Sequence, residues 1–583
     1  MRSLVPSDPY DIATCLLLAA IAALALVTFR DYAISNDEGV QHHYGELIIA
    51  YYRSGFVDRD LFTYQNLYLY GGLFDVIAVG LAKIVPIDPY TLRHILCAIT
   101  GIGGIAAAAA TARLIAGPRA GLIAALALGL CGAWYGAMFN HTKDIPFAAA
   151  MMAATFFLIR LARDLVVHSH PISAGTFAHV GIEAYERAAN RGANVKSAPL
   201  ASPRLRDVLA FGLLAGAALG IRSLALLLFV YLALAILIYL PWRERNGARL
   251  RFIATAALKT IPALALAWLI MIAAWPWAAL SPFNAIRGLF AFSEFHYPIR
   301  TVFEGHVYEM GDVPRLYVPG YLLIRVPLIT LTGVALAALS MLALPLAWTP
   351  RRRDLALLLI AVILPLACQV ALHGPAFTGM RHFLFVLPAL AALAGIGFDA
   401  LLGRLVAHGR WLAAGAAAAI CACFVWDGAI LVKLHPYENL SYNALVGGLP
   451  GAYRRYDMDY WFNSMPEAIH KLEAYLREKT PLETSQAPKV YSVAVCGIQL
   501  SFDHTVTLPQ LHWDFRSEWD ESEFFIAPTH MNCDRDLDGT IVATVERFGV
   551  PIAYVKDRRA IVKVPVATAA SPPPAQDADR KEN

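Results

Sequence analysis

The sequence predicts a mainly α-helical fold, a polytopic transmembrane bundle of about 11 spans with a small C-terminal α/β domain outside the cytoplasm. Of its 583 residues, 58% are hydrophobic and 16% are charged, whereas about a quarter of the residues in a soluble globular chain are charged. Apolar stretches long enough to cross roughly 30 Å of hydrocarbon, which takes about 20 residues, recur from Asp11 to Val432. Most of the chain is therefore predicted to lie in lipid.

The predicted spans follow these apolar stretches. Residues 71–85 would extend only about 22 Å as a helix and include Asp75 and Lys83, which predicts an interfacial or re-entrant segment. Residues 208–240 would reach about 50 Å as one helix, so we predict a tight hairpin at residues 220–222. The spans are predicted at residues 12–29, 93–113, 120–139, 145–161, 208–221, 223–240, 253–279, 317–347, 355–372, 382–402 and 411–432.

The placement of Lys and Arg predicts the orientation. With a cytoplasmic N-terminus, basic residues collect in the inside loops, as the positive-inside rule requires. Residues 12–29 lack a small-residue cleavage site and are interpreted as a signal anchor. The chain is therefore predicted to be a multi-pass protein of a bacterial inner membrane with a periplasmic C-terminal region. The net charge of +4 gives no indication of nucleic acid as a partner.

The chain divides into three predicted parts. Residues 1–432 form the membrane domain, which includes a first outer loop with juxtamembrane helices at 30–92 and a cytoplasmic insertion at 162–207. Residues 433–566 form the periplasmic α/β domain, and the proline-containing tail at 567–583 is predicted to be disordered. The C-terminal pattern predicts a helix at residues 465–479 and strands at residues 489–495, 523–526, 540–544 and 560–564.

Eight cysteines are present, and none has CxxC spacing. Six of them lie in apolar stretches, where they are interpreted as small buried residues. Cys496 and Cys533 fall in the region predicted to be outside, where an oxidising compartment permits a disulfide. The sequence leaves their pairing open.

Adjacent acids follow the first span, in the segment Asn36-Asp37-Glu38-Gly39. A carboxylate at this position is suited to act as general base for an acceptor hydroxyl. The alternative is a solvated loop mouth. His43 follows within the same segment and is a further candidate.

A second polar segment, His141-Thr142-Lys143-Asp144, lies between the third and fourth spans and on the same predicted face. Asp144 precedes Pro146, a pattern typical of a helix start, so helix capping explains it equally well. In the functional interpretation, Lys143 neutralises a phosphate at the membrane surface.

Two arginines complete the set of candidates. Arg222 lies between two apolar stretches, and an arginine near bilayer depth is costly enough to indicate a function. Arg381 and His382 open a later span, where an arginine either anchors the helix end or binds phosphate.

Metal sites have weak support, because no His/Cys cluster has zinc spacing. Mg²⁺ or Mn²⁺ at Asp37 or Asp144 is an alternative.

With these motifs the chain resembles the GT-C superfamily of membrane glycosyltransferases, and is similar to its bacterial protein O-mannosyltransferases and lipid A aminoarabinose transferase. The resemblance implies transfer of a sugar from a polyprenyl-phosphate donor to a glycan, lipid or protein acceptor. It implies Asp37 as the general base with Glu38 beside it, and Arg381 at the donor phosphate. The resemblance rests on Asn36-Asp37-Glu38-Gly39, Lys143-Asp144 and Gly379-Met380-Arg381-His382-Phe383.

Lys143 and Arg222 join the predicted phosphate site through the topology and not through a motif. The segment Asp459-Tyr460-Trp461 also resembles a juxtamembrane stretch of some bacterial members, and no role follows for it. Two other classes of function stay open. A transporter or flippase for lipid-linked glycans predicts polar residues along several spans, and a non-catalytic scaffold predicts that Asp37 is dispensable.

Overall fold

The computed structural model describes residues 8–169, 204–242, 246–281, 283–293, 299–343, 349–479 and 489–562. Among them, seven helices are long and apolar enough to cross a membrane, and the number rises to nine if each of two bent helix pairs counts as one span. The predicted helical membrane fold with a small C-terminal sheet is confirmed, while the count of about 11 spans stays a prediction. Most of the predicted insertion at 162–207 and the tail at 567–583 lie outside the described residues.

The helices of the membrane region are numbered in chain order. They are α1 (Pro9–Thr28), α2 (Asn36–Arg53), α3 (Leu73–Ala82), α4 (Pro89–Ala116), α5 (Pro118–Gly129), α6 (Gly132–Tyr135), α7 (Ala137–Asn140), α8 (Asp144–Ser169), α9 (Leu205–Leu219), α10 (Leu227–Tyr239), α11 (Asn246–Ala274), α12 (Pro276–Leu280), α13 (Asn284–Ser293), α14 (Tyr317–Arg325), α15 (Leu328–Ala343), α16 (Pro350–Leu372), α17 (Leu387–His408) and α18 (Arg410–Leu434).

Helix α3 has ten residues, in agreement with the short segment predicted at 71–85. Its start packs onto the ends of two longer helices: Gly72 N donates to the Ala274 carbonyl at 3.0 Å, and Leu73 N donates to the Gly220 carbonyl at 2.9 Å. A Cβ on Gly71 would clash with that Gly220 carbonyl. The helix breaks between α9 and α10 at residues 220–222, and α3 covers this break; the tight hairpin predicted there stays a prediction.

The span predicted at residues 317–347 is broken into two helices in the structure. Helices α14 and α15 meet at an angle of 111°. Val326 is extended, with φ −81° and ψ 133°, and it precedes Pro327, whose ring disfavours a helical conformation in the preceding residue. The break leaves Arg325 at the end of α14.

Ion pairs join helix ends on the face predicted to be cytoplasmic. Arg113 Nε lies 2.6 Å from Asp11 Oδ1, and Arg119 Nη2 lies 2.8 Å from Asp399 Oδ1. These pairs link α1 with α4 and the start of α5 with α17. The same end of the bundle therefore collects the basic residues that the sequence places inside.

The C-terminal region forms helix α20 (Met465–Lys479) and a five-stranded sheet, with the short helix α19 (Gly448–Ala452) before them and α21 (Gln499–Thr505) between the first two strands of the sheet. The strands are β1 (Arg300–Phe303), β2 (His306–Glu309), β3 (Tyr491–Val495), β4 (Leu511–Asp514), β5 (Phe524–Pro528), β6 (Thr540–Arg547) and β7 (Val550–Asp557). The five-stranded sheet has the strand order β4-β3-β5-β7-β6. Strands β1 and β2 form a separate hairpin in the loop before α14.

The predicted helix and the first three predicted strands of this region are confirmed. In the described part of the chain, which ends at residue 562, the last strand ends at Asp557 and residues 560–562 form a turn, so the strand predicted at 560–564 does not begin where expected. Phe548 and Gly549 have φ values of 52° and 71°, which is the left-handed pair that a tight hairpin requires. Sequence reasoning missed this turn because phenylalanine is an unusual residue for it.

Cys496 and Cys533 are joined in a disulfide, which answers the question that the sequence left open. The bridge fixes the turn at residues 530–535 to the end of β3. His530 lies in this turn, and its Nδ1 accepts a hydrogen bond of 3.2 Å from Met458 N. The disulfide thus supports the segment that leads to Tyr460.

Candidate functional site

Ser35 and Glu38 fix the start of α2 through a reciprocal capping box. Glu38 Oε2 accepts a hydrogen bond from Ser35 N at 2.8 Å, and its Oε1 lies 3.1 Å from His94 Nε2. These contacts bury Glu38 and favour a structural role for it. The neighbouring Asp37 side chain keeps 24% of its surface exposed.

Asp144 at the start of α8 lies between two arginines. Arg222, in the turn after α9, binds Asp144 Oδ1, and Arg381 Nε donates to Asp144 Oδ2 at 3.2 Å. The Asp144 side chain is 3% exposed. Capping alone therefore does not describe this carboxylate, because both of its oxygens bind guanidinium groups.

Arg381 joins the two acid-bearing segments. Its Nη2 binds Asp37 Oδ2, while its Nε binds Asp144. The guanidinium also lies 5.5 Å from the centre of the Tyr460 ring, within the distance at which a cation is attracted to an aromatic face. The two segments that the sequence placed on one face therefore meet through one buried arginine.

Lys143 precedes Asp144 and is buried. Its Nζ lies 4.2 Å from the centre of the Tyr70 ring. Burial lowers the pKa of Lys143 to about 8, so the ammonium form still predominates at neutral pH. The structure thus places a third cationic side chain, after Arg222 and Arg381, near Asp144.

Two guanidinium nitrogens in this cluster have no hydrogen-bond partner within the described part of the chain: Nε of Arg222 and Nη1 of Arg381. Buried polar atoms usually have partners. Three cations (Lys143, Arg222 and Arg381) accompany two carboxylates (Asp37 and Asp144), which leaves one positive charge in excess. The cluster is therefore suited to bind an anion.

Sequence reasoning missed Tyr460 as a site residue, although Asp459-Tyr460-Trp461 was noted as a motif without a role. The Tyr460 ring stacks on His141 with a centroid distance of 3.7 Å, and its hydroxyl lies 3.5 Å from Asp37 Oδ2. It is buried, and burial raises the pKa of its hydroxyl well above the usual value. The hydroxyl therefore remains protonated and able to donate to the carboxylate.

A compact turn holds Tyr460 in place. Asp459 Oδ1 accepts hydrogen bonds from Tyr460 N and Asn463 N, both at 2.7 Å. Asn463 Oδ1 in turn accepts from Ala33 N at 3.1 Å and from Asn140 Nδ2 at 3.1 Å. The turn therefore connects the first outer loop with the segment that leads to Asp144.

The two predicted histidine candidates lie in different surroundings. His382 follows Arg381, packs edge-on against Phe377 at 4.7 Å and lies within electrostatic reach of Asp144. His43 is half-exposed, and its Nδ1 lies 3.1 Å from Glu46 Oε2. The structure thus brings His382 to the cluster, whereas the observed contacts of His43 are on the surface of α2.

In the described ranges, one group of three side chains meets the spacing of a metal site: Cys496, Cys533 and Asp536. The two cysteines of this group form the disulfide. Asp37 and Asp144 instead bind arginines, which compete with a divalent cation. Mg²⁺ or Mn²⁺ at these carboxylates stays a prediction.

Comparison with known proteins gives structural likenesses only. No known family matches the chain, and no curated protein does. Solved structures that resemble it include ArnT from Cupriavidus metallidurans in the apo state, with 14% identity and a TM-score of 0.44 over 94% of this chain and 99% of that chain. Another is the archaeal oligosaccharyltransferase AglB from Archaeoglobus fulgidus, with 13% identity and a TM-score of 0.47 over 89% of this chain and 69% of that chain. These values carry no residue role over to the present chain.

Proposed function

We propose that this protein is a GT-C-type membrane glycosyltransferase that moves a sugar from a polyprenyl-phosphate-linked donor to an acceptor hydroxyl, on the periplasmic face of a bacterial inner membrane. The observation that carries this proposal is the cluster of Asp37, Asp144, Arg222, Arg381 and Lys143. It combines one partly exposed carboxylate with an excess of positive charge at the ends of apolar helices. A base and an anion site are the two parts that such a transfer requires.

Asp37 acts as the general base in this proposal, because it is the more exposed of the two carboxylates. The acceptor oxygen forms a bond to the anomeric carbon as its proton passes to Asp37. The bond from the anomeric carbon to the donor phosphate breaks, and its electron pair leaves with the phosphate. Asp144 does not take part in this transfer, since both of its oxygens bind arginine.

Arg222 and Lys143 bind the donor phosphate in this proposal. Among the described residues, Arg222 Nε lacks a partner, and Lys143 contributes a compact charge without a carboxylate of its own at hydrogen-bond distance. Cations that face the leaving phosphate stabilise the negative charge that develops on it. Arg381 positions Asp37 relative to this phosphate site, because one guanidinium holds both acids.

A transporter or flippase for lipid-linked glycans is the second candidate, and it requires polar residues along several spans. Several buried carboxylates of the membrane region bind arginine. Examples are Asp75 with Arg93 and Asp354 with Arg163. These carboxylates lie in the first residues of their own helices or pair with an arginine at the end of another helix. The middle parts of the described spans are dominated by Ala, Leu and Gly. This distribution favours the transferase.

Binding of undecaprenyl phosphate to the full-length protein in nanodiscs tests the donor site. We expect Arg222→Gln to weaken binding by about 10- to 100-fold, because a hydrogen bond to a charged group contributes about 1.5–3 kcal/mol. Arg300→Gln is the matched control, since Arg300 is an exposed arginine in the loop before α14. Equal affinities for wild type and Arg222→Gln, with both proteins folded, would contradict the donor assignment.

Arg222→Lys separates binding from folding in the same experiment. Removing one partner of a buried ion pair destabilises a protein by about 3–5 kcal/mol, so Arg222→Gln also requires a melting curve. The lysine variant retains the charge beside Asp144, and we expect it to fold and to bind the lipid more tightly than the glutamine variant does. Transfer of radiolabelled sugar from a polyprenyl-phosphate donor pool in membranes then tests whether binding leads to transfer.

Tyr460→Phe tests the contact between the tyrosine and the base. The ring and its stacking on His141 remain, and only the hydroxyl near Asp37 is removed. We expect the transfer rate to fall by about 3- to 10-fold, which corresponds to one hydrogen bond of about 1 kcal/mol, with unchanged affinity for undecaprenyl phosphate. An unchanged rate would show that the ring alone is needed.

A further inference from the structure

A cavity of about 440 Å³, including its open mouth, lies beside the cluster, and its lining includes Arg381, Tyr460 and His141. Its wall combines Arg381 and the preceding backbone of residues 378–380 with Arg325 from the break between α14 and α15. Arg325 has no role in the proposed base or donor site.

Helix termination does not explain Arg325. The carbonyls at the end of α14 are already satisfied by Asn443, whose Nδ2 donates to Leu323 O at 2.7 Å and to Val326 O at 2.8 Å. The Arg325 guanidinium instead lies over the Tyr442 ring, 4.6 Å from its centre. Its Nε is buried and has no partner within the described residues.

Two further polar atoms in the cavity wall also lack partners in the described part of the chain. These are Nη1 of Arg381 and Oδ1 of Asn439, and both side chains are 7% exposed. The wall therefore offers two guanidinium donors and one amide acceptor. Guanidinium groups bind phosphate and carboxylate oxygens, and an amide oxygen accepts from a hydroxyl.

The acidic residues in this wall are already engaged. Asp457 accepts hydrogen bonds from Thr301 Oγ1 and Val302 N, both at 3.3 Å. Asp459 Oδ2 accepts from Ser464 Oγ at 2.5 Å, and its Oδ1 is used by the turn described above. Burial raises the pKa of both carboxyls.

We infer that this cavity binds an anionic group of the acceptor, held by Arg325 and Arg381 with Asn439 as an acceptor for a neighbouring hydroxyl. The inference rests on the proposed function, because it concerns the acceptor of the same transfer. It states that this hydroxyl-bearing acceptor also carries a phosphate or carboxylate group. Arg381 contacts both Asp37 and the cavity, so an acceptor bound there has its hydroxyl near the base. The donor phosphate remains at Arg222 and Lys143.

Two probes distinguish this site from the donor site in the full-length protein in nanodiscs. The first is glucose 1-phosphate, a soluble hexose that carries a phosphate, and the second is undecaprenyl phosphate. We expect Arg325→Gln to weaken binding of glucose 1-phosphate by about tenfold or more and to leave binding of undecaprenyl phosphate unchanged. Arg222→Gln is expected to weaken binding of undecaprenyl phosphate, and Arg300→Gln is expected to change neither.

Asn439→Asp keeps the inference testable if Arg325→Gln does not fold. This substitution preserves the shape of the side chain and adds a negative charge to the cavity, so we expect it also to weaken binding of glucose 1-phosphate. The inference is overturned if wild type does not bind glucose 1-phosphate, or if neither variant weakens that binding. It is also overturned if Arg325→Gln weakens undecaprenyl phosphate binding, since the cavity would then hold the donor phosphate.

The proposed function fails in a different way. If Arg222→Gln leaves undecaprenyl phosphate binding unchanged, the donor assignment is wrong. Loss of glucose 1-phosphate binding in Arg325→Gln would still establish the anion site in the cavity. The two results are therefore separable in one series of measurements.

Discussion

Asp37→Asn is expected to lower the rate of sugar transfer by about 10²- to 10⁴-fold, the range of general-base contributions. The amide has the size of the carboxylate and retains an oxygen toward Arg381, but it does not accept the proton of an acceptor hydroxyl. Asp144 cannot replace it, because Arg222 and Arg381 occupy both of its oxygens. The measurement is transfer of radiolabelled sugar in membranes that contain equal amounts of the two proteins.

Asp60→Asn is the matched control for this experiment. Asp60 lies in the same segment before α3 and its side chain is exposed, so its substitution should leave transfer unchanged. Undecaprenyl phosphate binding by Asp37→Asn should also stay within a factor of about two of wild type, since Asp37 does not contact the proposed phosphate site. A transfer rate above a tenth of wild type would reject Asp37 as the base and favour the transporter or scaffold.

The position of the site was predictable because it depends on topology. The two acid-bearing segments follow the first and third predicted spans, so two crossings separate them and they lie on one face of the membrane. The basic loops predict that this face is the outer one. Arg222 was also predictable, since an arginine between two apolar stretches needs a partner. The sequence named these residues, but it did not indicate which of them contact each other.

The contacts were not predictable because they join distant parts of the chain. Arg381 binds Asp37 across a separation of 344 residues, a contact that the assignment of Arg381 to the donor phosphate did not include. Tyr460 lies 423 residues from Asp37. The turn that holds it depends on Asp459 and Asn463, and the resemblance of this segment to a juxtamembrane stretch indicated no role for Tyr460.

Arg325 illustrates a second limit of sequence reasoning. An uninterrupted span over residues 317–347 would have placed this side chain within a helix, where snorkelling toward the interface explains an arginine. The bend of 111° before Pro327 brings it instead to the wall of the cavity. Pro327 was the available signal, because the residue before a proline disfavours helix.

Arg381→Lys is expected to have the second large effect, with transfer lowered by at least about 100-fold. The planar guanidinium binds Asp37 and Asp144 with different nitrogens, whereas an ammonium is a single point charge on a flexible stem. The lysine variant therefore retains the charge but does not hold both carboxylates in the observed geometry. Transfer assays and melting curves of the variant test this expectation, and a fall in melting temperature is expected because a buried ion pair is weakened.

A double-mutant cycle with Asp37→Asn determines why Arg381 matters. If Arg381 acts by positioning the base, then Arg381→Lys should cause little further loss in a protein that already lacks Asp37, because residues that act as a unit are strongly non-additive. Losses that multiply would mean that Arg381 contributes independently, for example by binding the donor phosphate through Nη1. Affinity for undecaprenyl phosphate separates these cases, since a positioning residue leaves it unchanged and a phosphate ligand does not.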